Sequence, residues 1–432
     1  MDESGLYINK LNAGQNPVKA WTFTDPSIPS KYSIIVVSSM GSTFKFIHCA
    51  DLHLGLRFRG LDSVDQRMAE RLRRSVFDSF QRIVDKALEE RVDAMVISGD
   101  LYDDSNELPS TRMWLAQQFS RLKIPIFICR GNHDNATSWD SAISYPENVH
   151  IFSTEPESFK IGEDYEILGV SFSTWHETRN LASMIKGDSE RFSIACLHCD
   201  VDAVSEGYTY APCSINDMRG SNVDYWALGH IHKRGILSKD PYVVYSGNIQ
   251  GRSFKETGPK GAYLVTVSSK RIVGFEFFST SSYVWKDISV DISDRSFNDL
   301  ITEIKSQANQ RSICRITFTG SGELDTMLRT RTDDVRKMIV DSTGCIVSGI
   351  IIGTTSPIDI ESRKDGKDMG SAIVRAGMDI QEMTKEEIVE LICQNKVASR
   401  YKEYFQSLTE DQIRDIVEDA MRGIIARMEA SR

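Results

Sequence analysis

Phe44-Lys45-Phe46-Ile47-His48-Cys49-Ala50-Asp51-Leu52-His53 sets a short apolar run directly before an aspartate and a histidine. Aromatic and aliphatic residues dominate its first six positions, which read as a strand, and the Asp-x-His pair lies where that strand gives out. The pattern recurs along the chain. Asp93 to Ser98 is a second buried strand, followed by Gly99-Asp100-Leu101-Tyr102-Asp103. Ile124 to Cys129 is a third, followed by Gly131-Asn132-His133-Asp134. Phe192 to Leu197 runs into His198, and Asp224 to Leu228 into Gly229-His230-Ile231-His232. Five of the eight histidines fall in these clusters, leaving His48, His150 and His176 outside. In sheets flanked by helices, ligands collect at the carboxyl ends of strands, so five such clusters point to one site.

Helices separate the early strands. Ala69 to Glu90 carries Leu72, Val76, Phe80, Ile83, Val84 and Leu88 at helical spacing on one face, and Glu107 to Leu122 reads as a second helix. Tyr242 to Tyr245, Gly261 to Val267 and Ile272 to Phe278 read as strands with no helix between them. Helix-rich and strand-rich stretches in one domain imply sheets sandwiched between helices.

With 432 residues, two or three domains are expected. Hydrophobic residues make up 41% and charged residues 26%, ordinary for a globular protein. No apolar run approaches the ~18–20 residues of a membrane span. Met1-Asp2-Glu3 has the wrong sign for the start of a signal peptide, and Ile34 to Val37 is too short for its apolar core. The eight cysteines are scattered, as free thiols in a reducing cytoplasm would be. Cys196 and Cys199 form a lone C-x-x-C, open to a zinc or redox role or to a plain strand end. A net charge of −10 counts against a protein that coats nucleic acid by bulk electrostatics. It leaves room for an enzyme that grips phosphates through metals and a few arginines.

Residues 1–43 differ in composition and read as a flexible extension, or as a leader ahead of a true start at Met40. The catalytic domain is expected over 44–283. A small α/β domain follows over 284–360, with strands Ile313 to Thr319 and Ile346 to Ile352 around a helix, Asp333 to Ile339. Residues 361–371 read as a charged linker and 372–432 as a helical tail, with capping boxes at Thr384 to Glu387 and Thr409 to Gln412. The tail's stripe of Ile413, Ile416, Val417, Ala420, Met421, Ile424, Ile425 and Met428 would pack on its own domain or receive a partner.

Two divalent cations ~3.5–4 Å apart can clamp the attacking and leaving oxygens of a phosphoester and acidify a water between them. Holding them so close requires a shared carboxylate, for which Asp100 is the natural bridge. Imidazoles and oxygens in the remaining positions suit manganese, iron or zinc better than calcium. Singly, each motif is an ordinary turn with a satisfied histidine. As an ordered set they are not.

In that order, D-x-H, G-D-x-x-D, G-N-H-D, H and G-H-x-H resemble the signature of the calcineurin-like metallophosphoesterases, over about 44 to 232. The resemblance implies an α+β fold, a four-layer α/β/β/α sandwich with a small C-terminal cap domain and a helical tail. It implies one metal on Asp51, His53, Asp100 and His232, and another on Asp100, Asn132, His198 and His230, most simply two manganese ions. His133 would then act on the scissile phosphate or its leaving oxygen, with Asp103 orienting it; a loop or helix-cap carboxylate is the alternative for Asp103.

The wording around His48 to Gly55 and Ser98 to Asp103, with Tyr245 to Gly261, resembles the DNA repair exonuclease branch, of SbcD and YhaO type. That implies DNA as substrate, a coiled-coil ATPase partner engaging the C-terminal helices, and homodimers. The last 60 residues match that branch loosely, and 1–43 have no counterpart. Basic residues near the motifs fit a phosphate backbone: Arg57, Arg59, Arg67, Arg71, Arg73, Arg74, Lys233, Arg234, Arg252 and Lys255. A solvated helix face is the alternative for Arg71 to Arg74. Phe58 and Trp139 are candidates for stacking on bases. Two rivals stand beside a DNA exonuclease: a phosphatase or phosphodiesterase of small nucleotides, and a structural DNA-end-binding subunit of an ATPase.

Overall fold

The computed structural model describes residues 43–55, 66–103, 108–137, 143–202, 209–355 and 360–430. The readings placed on residues 1–42, Arg57, Phe58, Arg59, the Arg67 side chain and Trp139 lie outside the described residues. The described chain forms two compact units. One runs to Arg252 and includes Pro259–Ser282; the other takes Ser253–Gly258 and continues from Tyr283.

In the first unit, β1 (Phe44–Cys49), β2 (Ala94–Ser98), β3 (Ile126–Cys129) and β4 (Val149–Ile151) pair in parallel, neighbour to neighbour. The chain then builds a second sheet from β5 (Glu157–Ile161), β6 (Tyr165–Gly169), β7 (Phe192–His198), β8 (Tyr225–Gly229), β9 (Gly235–Lys239) and β10 (Tyr242–Tyr245). In it β6, β7, β8 and β10 are parallel, with β5 and β9 antiparallel at the edges. Finally β11 (Gly261–Ser268) returns antiparallel to β1 and carries β12 (Arg271–Ser279) at its edge. Among the described residues this makes two six-stranded sheets.

Strand periodicity of two decides what faces what. Phe44 and Phe46 of β1 meet Ile194, Cys196 and Tyr225 of the second sheet in a core between the sheets. A fully buried Phe is worth about 1.5–3 kcal/mol, and Phe46, Phe127 and Phe192 all lie in this layer, buried to within 2% of their surface. The opposite face of the second sheet, with Leu168, Ala195 and Trp226, packs on α3 (Leu181–Met184) and α4 (Ile215–Met218). On the first sheet's side, α1 (Gln66–Glu90) lies against α2 (Pro109–Arg121) and β11. Leu72, Val76, Phe80, Ile83 and Val84 of its expected stripe are buried. Leu88 is exposed, in the last turn before the backbone leaves the helix through a left-handed Arg91. The four-layer sandwich is therefore the fold of this unit.

The same parity settles the C-x-x-C. Three residues apart in extended chain point to opposite faces, so Cys196 joins the core between the sheets while Cys199 joins the outer one. The two cannot share a metal. The bland reading holds.

In the second unit β13 (Val284–Asp291), β14 (Ser312–Ser321) and β15 (Ile346–Thr355) form a parallel sheet. Its core shares buried residues with α5 (Phe297–Gln307), α6 (Leu324–Thr330) and α7 (Thr332–Thr343). The stretch expected as a linker, 361–371, is instead short helix α8 (Ile360–Arg363) and the start of α9 (Met369–Gln381), capped by the Asp368 carboxylate accepting from Ser371 N–H. Asp368 there serves as a helix cap, while Lys364, Asp365 and Lys367 stay exposed. Then come α10 (Lys385–Cys393), α11 (Lys402–Ser407) and α12 (Glu410–Ala430). Met421 and Ile425 of α12 pack with Val374, and Ile413 and Val417 with Ile388 and Val389. No helix among the described residues is long and apolar enough to cross a membrane.

Candidate metal centre

Parallel pairing puts the ends of β1, β2 and β3 on one edge of the first sheet, and those of β7 and β8 on the matching edge of the second. Direct bonds between the sheets lock these edges together. Ser98 Oγ donates to Ala227 O at 2.8 Å, and His48, buried, bonds Tyr225 Oη at 3.0 Å and Leu228 O at 3.2 Å. Both ring nitrogens are thus occupied, so His48 is a spacer and not a ligand, and burial lowers its pKa to about 3. Glycines let the loops close in. A Cβ on Gly131 would lie 2.2 Å from Asp100 Oδ1, and one on Gly229 1.7 Å from Ser98 O. Asp51, His53, Asp100 and His230 all adopt positive φ, a concentration of left-handed backbone that marks functional sites.

Asp51, His53, Asp100, Asn132 and His198 are buried at the junction, and His133, His230 and His232 are more open. Ligand atoms of Asp51, His53 and His232 lie within 4.8 Å of one another, as do those of Asp51, Asp100 and His198, and of His53, Asp100 and His133. His198 Nδ1–H donates to Ser98 O at 2.9 Å, which leaves Nε2 facing Asn132 Oδ1 at 3.2 Å and Asp100 Oδ2 at 3.5 Å. His53 Nδ1 is 3.2 Å from Asp103 Oδ1, and its Nε2 is 3.7 Å from Asp100 Oδ2 and 3.1 Å from His232 Nε2. Both rings are thus oriented through one nitrogen and present the other, the usual arrangement of metal-ligating histidine.

Asp103, expected beside His133, stands closer to His53: its Oδ1 is 3.9 Å from His133 Nδ1. It can serve both rings. His230 belongs to none of the three close groups. Its backbone N–H donates to Asp51 Oδ1 at 3.0 Å, while its Nε2 reaches Asp200 Oδ1 at 3.2 Å. Asp134 stitches two motif loops, accepting from Gly131 N–H and Leu101 N–H, each at 2.7 Å. Arg252 Nη2 donates to His232 Nδ1 at 2.8 Å, bringing a permanent cation to the rim.

The charges are uncomfortable without a cation. Burial raises the Asp51 and Asp100 pKa values, for Asp100 with help from the neighbouring charges of Asp134 and Asp51. Burial also holds His53 and His198 well below the ordinary imidazole range, assisted by Arg252 at His53 and by His230 at His198. At Asp200 burial is the largest single influence and pushes the carboxyl up, but the His230 hydrogen bond, the His230 charge and the Tyr210 N–H together outweigh it and the pKa is lowered.

The family model of calcineurin-like phosphoesterases matches residues 44–234. Residues 44–234 thus form a calcineurin-like metallophosphoesterase domain. It is 38% identical over 260 residues to an uncharacterized metallophosphoesterase, YhaO, of Bacillus subtilis, across 58% of this chain and 63% of that protein. It is 26% identical over 337 residues to the DNA double-strand break repair protein Mre11 of Methanocaldococcus jannaschii, across 73% of this chain and 86% of that one. To Mre11 of Sulfurisphaera tokodaii it is 27% identical over 249 residues, 52% of this chain and 60% of that protein. The chain thus spans less than two thirds of YhaO and of the second Mre11.

Metallophosphoesterase domains bind divalent metals, and these residues fit such ions. Asp51 Oδ2 is buried with no hydrogen-bond partner among the described residues. An orphaned carboxylate oxygen in a buried cluster costs several kcal/mol unless a cation meets it. Reading the motifs alone passed over Asp200 and gave Asp134 no role. Asp134 sits inside Gly131-Asn132-His133-Asp134, where its loop-closing position was a usable signal. Asp200 stands two residues past His198, and only folding shows that it serves His230.

Proposed function

We propose that this phosphoesterase cleaves DNA phosphodiester bonds at strand ends, as an exonuclease of DNA repair in the cytoplasm, with two manganese ions as cofactor. The carrying observation is that similarity to a DNA double-strand break repair protein extends over 73% of the chain, well past the metal-site domain. On this reading Asp51, His53, Asp100 and His232 hold one ion, and Asp100, Asn132, His198 and His230 the other. Bound there, the cations supply charge neutralisation for the phosphate and acidify the attacking water.

The remaining work falls to the chain. Arg252, beside His232, holds a non-bridging phosphate oxygen. His133, whose side chain is 29% exposed at the edge of the buried cluster, can reach the leaving oxygen and donate its Nε2 proton as the P–O bond breaks. The Asp103 carboxylate lies 3.9 Å from His133 Nδ1, where it can steady the charge on the ring. Asp200 fixes the His230 ring through Nε2. A coiled-coil ATPase or a second copy of the chain would be partners of the whole assembly.

The test is manganese-dependent degradation of end-labelled single- and double-stranded DNA, with His133→Ala and Asp100→Asn beside wild type. Both substitutions should abolish cleavage, and His133→Ala should do so by ~10²–10⁴-fold. A nucleotide, a simple diester and a phosphopeptide run in parallel. Turnover of small substrates alone would replace DNA with a small phosphoester, a reading that suits the net charge of −10. DNA binding with no cleavage of any substrate would leave the structural-subunit reading.

A further inference from the structure

A line of aromatic rings leads from solvent to the metal centre. Trp175 is 49% exposed, an uncommon position for the largest aromatic side chain. Its indole meets the Tyr210 ring at 5.4 Å between centroids and an interplanar angle of 87°. Tyr210 in turn lies 5.0 Å from the His230 imidazole. His176 flanks the same tyrosine at 5.7 Å. The exposed indole therefore sits within roughly 10 Å of a candidate metal ligand.

The loop holding Trp175 is braced. The Glu177 carboxylate, buried, accepts from Ser173 Oγ at 3.0 Å and from Arg179 through its backbone N–H at 3.0 Å and its guanidinium at 2.8 Å. The Glu177 carbonyl accepts from Ala211 N–H at 2.7 Å, tying this loop to the residue after Tyr210. An exposed indole on a braced loop is a preorganised surface, and little ordering entropy is lost when something flat lands on it.

We propose that Trp175, backed by Tyr210, is a nucleobase-stacking subsite, so that the substrate strand enters with its bases unpaired. This rests on the phosphodiesterase reading of the adjacent centre and adds the substrate feature it recognises. At ~3.4 Å rise per stacked base, the indole lies within about three nucleotides of a phosphate held at His230. A base inside a duplex already has stacking partners on both faces, so only a single strand or a frayed end can use the ring. Stacking is also indifferent to sequence, since every base has a π-face.

The experiment compares wild type, Trp175→Ala and Trp175→Phe in manganese, using the full chain. The probes are labelled single-stranded oligonucleotides that carry bases or abasic sites at their terminal positions. Trp175→Ala should lower the ratio of kcat/KM for base-bearing over abasic strands by roughly 5- to 150-fold, the range one base–aromatic stack supplies. Trp175→Phe should keep most of that ratio. An unchanged ratio, including equal loss on both strands through loop damage, overturns the subsite. A second pair, p-nitrophenyl thymidine 5′-phosphate against methyl p-nitrophenyl phosphate, separates this failure from that of the DNA reading. If wild type ignores DNA yet prefers the thymidine ester in a Trp175-dependent way, DNA falls and the base subsite stands. No preference for the thymidine ester in that case removes both.

Discussion

Asp100→Asn should stabilise the metal-free protein and at the same time cancel its stabilisation by divalent cations. Asp100 is 2% exposed, and the carboxylates of Asp51 and Asp134 act on it. In the absence of metal its pKa is raised, by burial first, so the folded state holds a proton that the unfolded state has released. Stability therefore falls as pH rises from the ordinary carboxylate range through the raised value. Asparagine removes that liability while its Oδ1 can still accept from His133 N–H, which reaches Asp100 Oδ1 at 3.0 Å. An unsatisfied buried polar group costs about 1–3 kcal/mol, more if charged. For a unit of this size 1 kcal/mol moves Tm by about 2–4 °C, so the gain is roughly 2–12 °C at neutral pH. It should vanish below about pH 4, where the carboxyl is protonated in both states. With metal the sign inverts. Cation at 100 times its Kd stabilises wild type by about 2.7 kcal/mol, or roughly 5–11 °C, and the variant by little. Differential scanning fluorimetry with EDTA and with manganese, at pH 4 and pH 8, reads all four numbers. A lower Tm for the metal-free variant at pH 8, or an undiminished manganese shift, would refute the reasoning.

Asp200→Asn should weaken metal binding ~10–100-fold by releasing His230, measured by calorimetric titration with manganese while circular dichroism stays unchanged. Gly131→Ala should remove metal binding more completely than its size suggests, since the added Cβ would stand 2.2 Å from Asp100 Oδ1 and 2.8 Å from His198 Cε1; native binding in that variant would count against the close approach. His48, with its pKa lowered to about 3 by burial, adds stability that is complete above about pH 6.5 and is lost as pH falls toward 3. His48→Gln should flatten the pH dependence of urea unfolding in that window by up to ~1.4 kcal/mol per pH unit, and an identical slope in the variant would place the titration elsewhere.

Much of the site was written in the chain because its logic is local. A strand that ends in Asp-x-His or Gly-His-x-His announces its ligands by type and spacing, and parallel sheets gather strand ends on one edge. The candidate ligands Asp51, His53, Asp100, Asn132, His198, His230 and His232 were legible in this way. The edge strands β4, β5 and β9 went unread, being short or partly exposed and so lacking a long apolar run, and so did β6, an interior strand of only five residues. Leu88 shows the limit of periodicity: its spacing is right, but the helix ends before it can be covered.

The sequence alone determined the candidate ligands and the alternation of strand and helix, because both depend on neighbours along the chain. Only the tertiary structure decided who orients whom. Asp103 stands nearer to His53 than to His133, Asp200 turns His230, and Ser98 O fixes the tautomer of His198 across 100 positions. Tertiary structure also parted Cys196 from Cys199 and brought Trp175 and Tyr210 edge to face beside His230. Hydrogen bonds and ring contacts act over a few ångströms, and folding sets those distances between residues far apart in the chain.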